Sequence, residues 1–271
     1  MSKAAVLPAL VMSAKKSVWR MNDHAGEGDE LFRKMRRAVL DASGSTCRFC
    51  QMSSMHGIEV HHADDNHKNN SPANLIATCP LCHQIFHIGL AGMHESADII
   101  YCPELSQAEI NQTALMIWMI TEAEQNAAQS PEQVQAHLRL NILAKSLGAA
   151  LGARRGTLML RFKEYLAGTD FPPELLAKVR LDHLGPGLFS NILMGLSESD
   201  HARRGALLGG VRVYPQVVRF IERNKLWMEE QNAVLPIDAW NSILTSQALE
   251  EIVVRTNERL DQMRLDLAVP R

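Results

Sequence analysis

No apolar run in the chain is long enough to span a bilayer. The longest late stretch, Ala114 to Ile120, falls far short of the roughly 20 residues a membrane helix needs. Strong charge of either sign is missing too. The 28 Lys and Arg stand against 30 Asp and Glu, for a net charge of -2 and a pI near 6.6. The whole molecule is therefore no magnet for nucleic acid, and such a role would need a local basic patch. No internal repeat or low-complexity tract stands out, which sets aside repeat arrays. A secretory leader is not indicated either. Ala4 to Ala14 has the length of a leader core, but only Lys3 precedes it, Pro8 interrupts it, and Lys15 and Lys16 follow it. It reads as an N-terminal strand. Cysteine is scarce, at five residues. Four of these lie in two C-x-x-C pairs, which in a non-secreted chain signify metal rather than disulfides and a reducing, cytoplasmic setting.

What is present describes a globular protein. The apolar share is 46% and the charged share 21%, and 271 residues suffice for one large domain or two ordinary ones. Residues 5–21 contain short apolar stretches fitting one or two strands. Glu30 to Leu40 reads as a helix, with Leu31, Phe32, Met35, Val39 and Leu40 as its apolar stripe and Arg33, Lys34, Arg36 and Arg37 facing elsewhere. The metal segment runs from Thr46 to about His87. Ile99 to Tyr101 forms a short strand. A long helix then starts at the capping box Ser106-Gln-Ala-Glu109, and the next starts at Ser130-Pro131. Further helices are expected at 156–167, 173–184, 187–196, 211–232 and 237–264, with Gly152, Gly168, Gly185 and Gly209-Gly210 between them. The fold class is α+β: a small zinc module with short strands over residues 1–103, then a mainly helical body over 104–271, with 232–271 as a C-terminal helical extension.

Zinc favours four soft or borderline ligands in a tetrahedron, and thiolates on two tight turns supply them. Cys47-Arg-Phe-Cys50 and Cys79-Pro-Leu-Cys82 are two such turns, so these four cysteines are expected to hold one structural zinc. Binding would contribute on the order of 10–16 kcal/mol to folding, comparable to the whole net stability of a domain, about 5–15 kcal/mol. Cys102 is left as an ordinary buried thiol.

Between the knuckles run Val60-His61-His62, Asn69-Asn70 and Asn74-Leu75, followed by Cys82-His83-Gln-Ile-Phe-His87. This pattern resembles the HNH (ββα-metal) nuclease motif, and implies an HNH or treble-clef-like module. On that motif His61, His83 and His87 are similar to the ligands of a catalytic metal, the last two at the i, i+4 spacing of one helix face. His62 is similar to the general base, and Asn74 to the asparagine that pins the loop. The residue types suit phosphodiester hydrolysis. A histidine of near-neutral pKa deprotonates water, and a cation stabilises charge on the leaving oxygen. Such a second site would take Mg²⁺, Mn²⁺, Ni²⁺ or Zn²⁺. His67, in the same loop, is read as solvated.

A second resemblance covers roughly residues 17 to 230. Ser17-Val-Trp19-Arg20, Asp29-Glu30-x-Phe32, Thr46-Cys47-x-Phe49-Cys50 and Ile100-Tyr101-x-Pro103-Glu104-Leu105-x-Gln107-Ala108-Glu109 are similar to the DotN (IcmJ) family of the type IVB secretion coupling complex. A weaker echo runs through Val211-Arg212-x-x-Pro215 to Trp227. The resemblance implies a cytoplasmic adaptor at the inner-membrane face. It would bind the DotL-like coupling ATPase and other coupling-complex subunits without inserting into the membrane. In that family the nuclease residues are worn away while the knuckles persist; here all four histidines stand. Three functions remain: a zinc-stabilised coupling-complex subunit, a metal-dependent HNH endonuclease acting on DNA, or a nucleic-acid-binding module without catalysis. The near-neutral composition counts against the third. Arg154-Arg155 and Arg203-Arg204 are read as solvated faces.

Overall fold

The computed structural model describes residues 10–14, 27–64, 66, 68–123, 131–167, 185–220, 225–227 and 229–230. The expected helices at 173–184 and 237–264, the 232–271 extension and His67 lie outside the described residues, as does most of the expected 5–21 strand region. Residues 10–14 form no strand, although Ser13 N–H donates to the Ile85 carbonyl (2.9 Å) and the Ser13 carbonyl accepts from Ile88 N–H (3.2 Å).

The fold is α+β. Helix α1 (Glu27–Ala42) half-buries Phe32, Met35, Val39 and Leu40, while Leu31 and the four basic residues are exposed. Strands β1 (Glu59–His62) and β2 (Leu75–Thr78) pair antiparallel, with His61 opposite Ile76 and His62 opposite Leu75. A 3-10 turn at Pro72–Asn74 leads into β2. Helix α2 (Pro80–Phe86) starts with Cys79 as N-cap and Pro80 in the first turn, where a missing N–H costs nothing. Helix α3 (Ile88–Met93) and strand β3 (Ala97–Tyr101) follow. Then come α4 (Gln107–Ala123), α5 (Pro131–Ala167), α6 (Pro186–Gly195), α7 (Glu198–Ala202) and α8 (Arg204–Leu208). Strand β4 (Val211–Pro215) pairs antiparallel with β3, Ile99 opposite Val213. A 3-10 turn at Val217–Phe220 follows.

Two expectations need correcting. Residues 211–215 are a strand, not the start of a helix. Val-Arg-Val-Tyr-Pro alternates buried and half-buried residues at the two-residue period of a sheet, and its partner β3 stabilises it. Second, α5 runs unbroken through Gly152 and Gly156. A glycine costs a helix about 0.5–1 kcal/mol relative to alanine, too little to end one that packs on both β3 and α4.

Strand β3 divides the core. Ile99 faces a cluster with Ile85, Ile88, Phe189, Leu193 and Val213. Ile100, its neighbour on the opposite face, joins Cys102, Ile110, Leu140, Ala144 and Leu151. A third cluster surrounds the knuckle cysteines, capped by Leu115, Trp118 and Met119 of α4 and by the fully buried Trp227. On α5, Arg154 is 1% exposed and ion-paired with Glu104, not part of the solvated face expected for Arg154-Arg155; the carboxylate partner is what makes its burial tolerable. Cys102 lies beside this pair. Burial pushes its thiol up to about 11, with Arg154 pulling down and Glu104 pushing up.

Candidate metal centre

The first knuckle is a tight reversal. Cys47 N–H donates to the Met52 carbonyl (2.8 Å) and Gln51 N–H to the Cys47 carbonyl (3.0 Å), with Gln51 at φ 60° closing the turn. The second knuckle is the N-terminus of α2, where Cys79 and Cys82 lie one helical turn apart. These two turns bring four sulfurs within 4.8 Å of one another, all buried, with Cys50 and Cys79 3.5 Å apart and none in a disulfide. A tetrahedral zinc with bonds of about 2.3 Å sets its sulfurs about 3.8 Å apart, so the group fits such an ion.

The protonation chemistry agrees. Hydrogen bonds from the Cys50, Cys79 and Cys82 thiols push the Cys47 thiol far down. Burial pushes Cys79 up, and hydrogen bonding with Cys47 and Cys50 pushes Cys82 up. Four buried sulfurs cannot all ionise against one another, and a divalent cation removes the conflict. The donor set, its burial and its spacing mean that the four cysteines could hold a metal ion such as zinc.

A second donor set gathers at the end of α2. His83 lies on the helix, while His87, four residues on, is not on its face as expected but caps its C-terminus at φ -129° and ψ 51°; His61 reaches them from β1, with one ligand atom from each inside 4.8 Å. The His61 ring stacks on Phe86 at 4.2 Å and 9°. It lies edge-on to His83 at 5.2 Å and to His87 at 5.4 Å. His61 and His87 are buried; the His83 side chain is 21% exposed and forms the open side. Glu59, which the sequence reading passed over, holds His83: its Oε2 lies 2.6 Å from His83 Nδ1. That contact occupies Nδ1 and leaves Nε2 as the ring nitrogen His83 could offer to an ion, as a carboxylate orients the imidazole in known metal sites.

His62 is placed apart from this trio. Strand alternation turns it to the other face of β1, where it stacks on Phe32 of α1 at 5.3 Å and its Nε2 lies 3.0 Å from Asn70 Oδ1. Asn74 fastens the loop between β1 and β2. Its Nδ2 donates to Asp64 Oδ1 (2.8 Å) and to the Asn69 carbonyl (2.9 Å), while its Oδ1 accepts from Asp64 N–H (3.0 Å). Burial pushes the Asp64 carboxyl up, but hydrogen bonds from Asn69, Asn66 and Asn74 outweigh it and hold the group below its ordinary value.

No helix among the described residues is long and apolar enough to cross a membrane. No protein-family model matches the chain. Over 104 residues, 38% of its length, the chain is 30% identical to the Type 4 apparatus protein DotN of Legionella pneumophila subsp. pneumophila. The match covers 48% of DotN, so the chain spans about half the length of the curated relative it matches, and over that stretch it is similar to a type IV secretion component.

Proposed function

We propose that the chain is a zinc-stabilised subunit of a type IV secretion or conjugation apparatus. It binds the coupling ATPase (DotL-like) and neighbouring coupling-complex subunits at the cytoplasmic face of the inner membrane, and helps recruit substrates. The similarity to DotN carries this reading. The buried four-cysteine group supports its zinc part: Cys47, Cys50, Cys79 and Cys82 would hold the ion, which supplies cross-linking rather than chemistry. The test is co-purification of the full chain with the coupling ATPase of its own organism, together with metal content per chain. One zinc per chain and a stable complex are expected. Cys79→Ser should lose the zinc and the folded module together. A chain that ignores the ATPase sinks the partner assignment, and a Cys79→Ser chain that still holds one zinc sinks the site.

The grouping of His61, His83 and His87 favours a second reading, an HNH-type metal-dependent endonuclease acting on DNA. The three imidazoles would hold a divalent ion (Mg²⁺, Mn²⁺, Ni²⁺ or Zn²⁺), which when bound stabilises charge on the leaving oxygen of a phosphodiester. His62 would take the proton from water. With Asn70 Oδ1 accepting at Nε2, its lone pair stands on Nδ1. Asn74 would keep the loop beside it in shape. Plasmid nicking by wild type in added metal, lost in a His61→Ala/His83→Ala chain that keeps its cysteine-bound zinc, is the expected result. Two proteins that carry only one zinc and cut nothing leave the scaffold reading alone.

A further inference from the structure

Within the Pro103-Glu104-Leu105-x-Gln107-Ala108-Glu109 run, which generic zinc chemistry does not demand, Gln107 begins a hydrogen-bond path to a cysteine sulfur. The path starts at a sheet edge. Among the described residues β4 pairs with β3 on one side only, and Val213 offers its N–H and C=O to the other side. Gln107 occupies that edge. Its Oε1 accepts from Val213 N–H at 2.9 Å, and its Nε2 donates to the Val213 carbonyl at 2.7 Å. A backbone N–H only donates and a carbonyl only accepts, so these contacts fix which end of the Gln107 amide is which.

The orientation then propagates. Gln107 Nε2 also donates to Asn111 Oδ1 at 2.9 Å, one turn along α4. Asn111 Nδ2 correspondingly faces the second knuckle, where it donates to the Leu81 carbonyl at 3.1 Å, which favours the same orientation, and to Cys82 Sγ at 3.2 Å. Gln107 is 6% exposed and Asn111 fully buried, so both amides would be costly without such partners. The next residue, Gln112, donates to the Cys50 carbonyl at 2.6 Å. Helix α4 thus grips both knuckles.

We propose that Asn111 is a positioning residue of the four-cysteine centre: its amide donates a hydrogen bond to the Cys82 sulfur and slows loss of the metal, and Gln107, itself oriented by the Val213 backbone, acts with the Leu81 carbonyl to hold that amide in place. This rests on the reading that the four cysteines hold zinc. A hydrogen bond to a thiolate draws charge from the sulfur and makes it a poorer target for the competing proton. It also places metal retention under the control of β4, a strand remote in sequence from every cysteine of the centre.

The test uses the zinc-loaded full chain and a chelating dye that reports free zinc. Asn111→Leu removes the donor at similar volume, and zinc loss should be roughly 10–100-fold faster, the usual effect of removing a partner behind a metal ligand. Gln107→Met leaves Asn111 in place, held by the Leu81 carbonyl but without its second orienting contact, and release should speed up by a smaller factor. In cobalt-loaded protein the sulfur-to-metal charge-transfer band should shift in both variants, which loss of packing alone would not cause. Should Asn111→Leu fail to fold, Gln107→Met decides. Wild-type release rates with an unshifted cobalt band overturn the inference. A wild-type chain that takes up no zinc overturns it together with the zinc reading.

Discussion

Glu59 stands two residues before His61 on β1, on the same face of the strand, and its carboxylate holds His83 at 2.6 Å. A partner of this kind selects the tautomer and fixes the ring. On the proposal that His61, His83 and His87 hold a divalent ion, Glu59→Ala is therefore expected to weaken its binding about 10–100-fold, and Glu59→Gln by less. Calorimetric titration of Mn²⁺ or Ni²⁺ into zinc-loaded chain would show it, and wild-type affinity in the alanine variant would remove Glu59 from the site. That each C-x-x-C pair, and His83 with His87, would lie together was legible in the sequence, because spacing within a segment survives folding; the approach of His61 from β1 was only implied by the motif resemblance. Glu59 was legible in principle, through the period-two rule. Asn111 was not, because its partner Cys82 belongs to a different element and only packing makes them neighbours.

At the N-terminus of α4 the capping box is formed in both directions. Ser106 N–H donates to Glu109 Oε2 at 2.7 Å, and Glu109 N–H donates to Ser106 Oγ at 3.2 Å. Hydrogen bonding from Ser106 holds the Glu109 carboxyl below its ordinary value of 4.5. A depressed folded value means the stabilisation is complete above that ordinary value and fades as pH falls through the lower one. Amide exchange in the first turn of α4 should therefore accelerate, at matched intrinsic rate, below about pH 4.5. Glu109→Gln should show no such pH dependence. Nearby, Glu104 neutralises the buried Arg154. Glu104→Ala strands that guanidinium and should cost about 3–5 kcal/mol in denaturant melts, whereas an Arg154→Met/Glu104→Leu double variant should lose much less. Helices α1 and α4 and strand β3 could be read locally from stripes, caps and alternation. Strand β4 carried the same two-residue alternation but was expected as helix, and only its long-range pairing with β3 decides the strand. Gly152 of α5 misled for a related reason: the packing that offsets its cost is tertiary.

Across the whole molecule, the four-cysteine module and the helical body meet at several places among the described residues, α3 packing on α6, α4 on both knuckles, β3 against β4, and Trp227 in the knuckle cluster among them. Gly57 shows how closely the last of these fits. A Cβ there would lie 2.4 Å from Trp227 Nε1 and 2.6 Å from Ser54 Oγ. Gly57→Ala should destabilise by about 1–3 kcal/mol. Gly152→Ala, on an exposed stretch of α5 with no described atom within 4 Å of the new methyl, should stabilise by about 0.5–1 kcal/mol. Paired thermal melts of the two variants provide the check, and equal signs would refute the packing argument. The seating of Trp227 also has a consequence in time. During synthesis all four thiols leave the ribosome well over a hundred residues before their tryptophan cover. At roughly 5–20 residues per second, the nascent chain therefore offers a thiol set without its Trp227 cover, though α4 emerges sooner, for on the order of ten seconds. On the zinc proposal, that interval is the window for loading, and for oxidation where zinc is scarce.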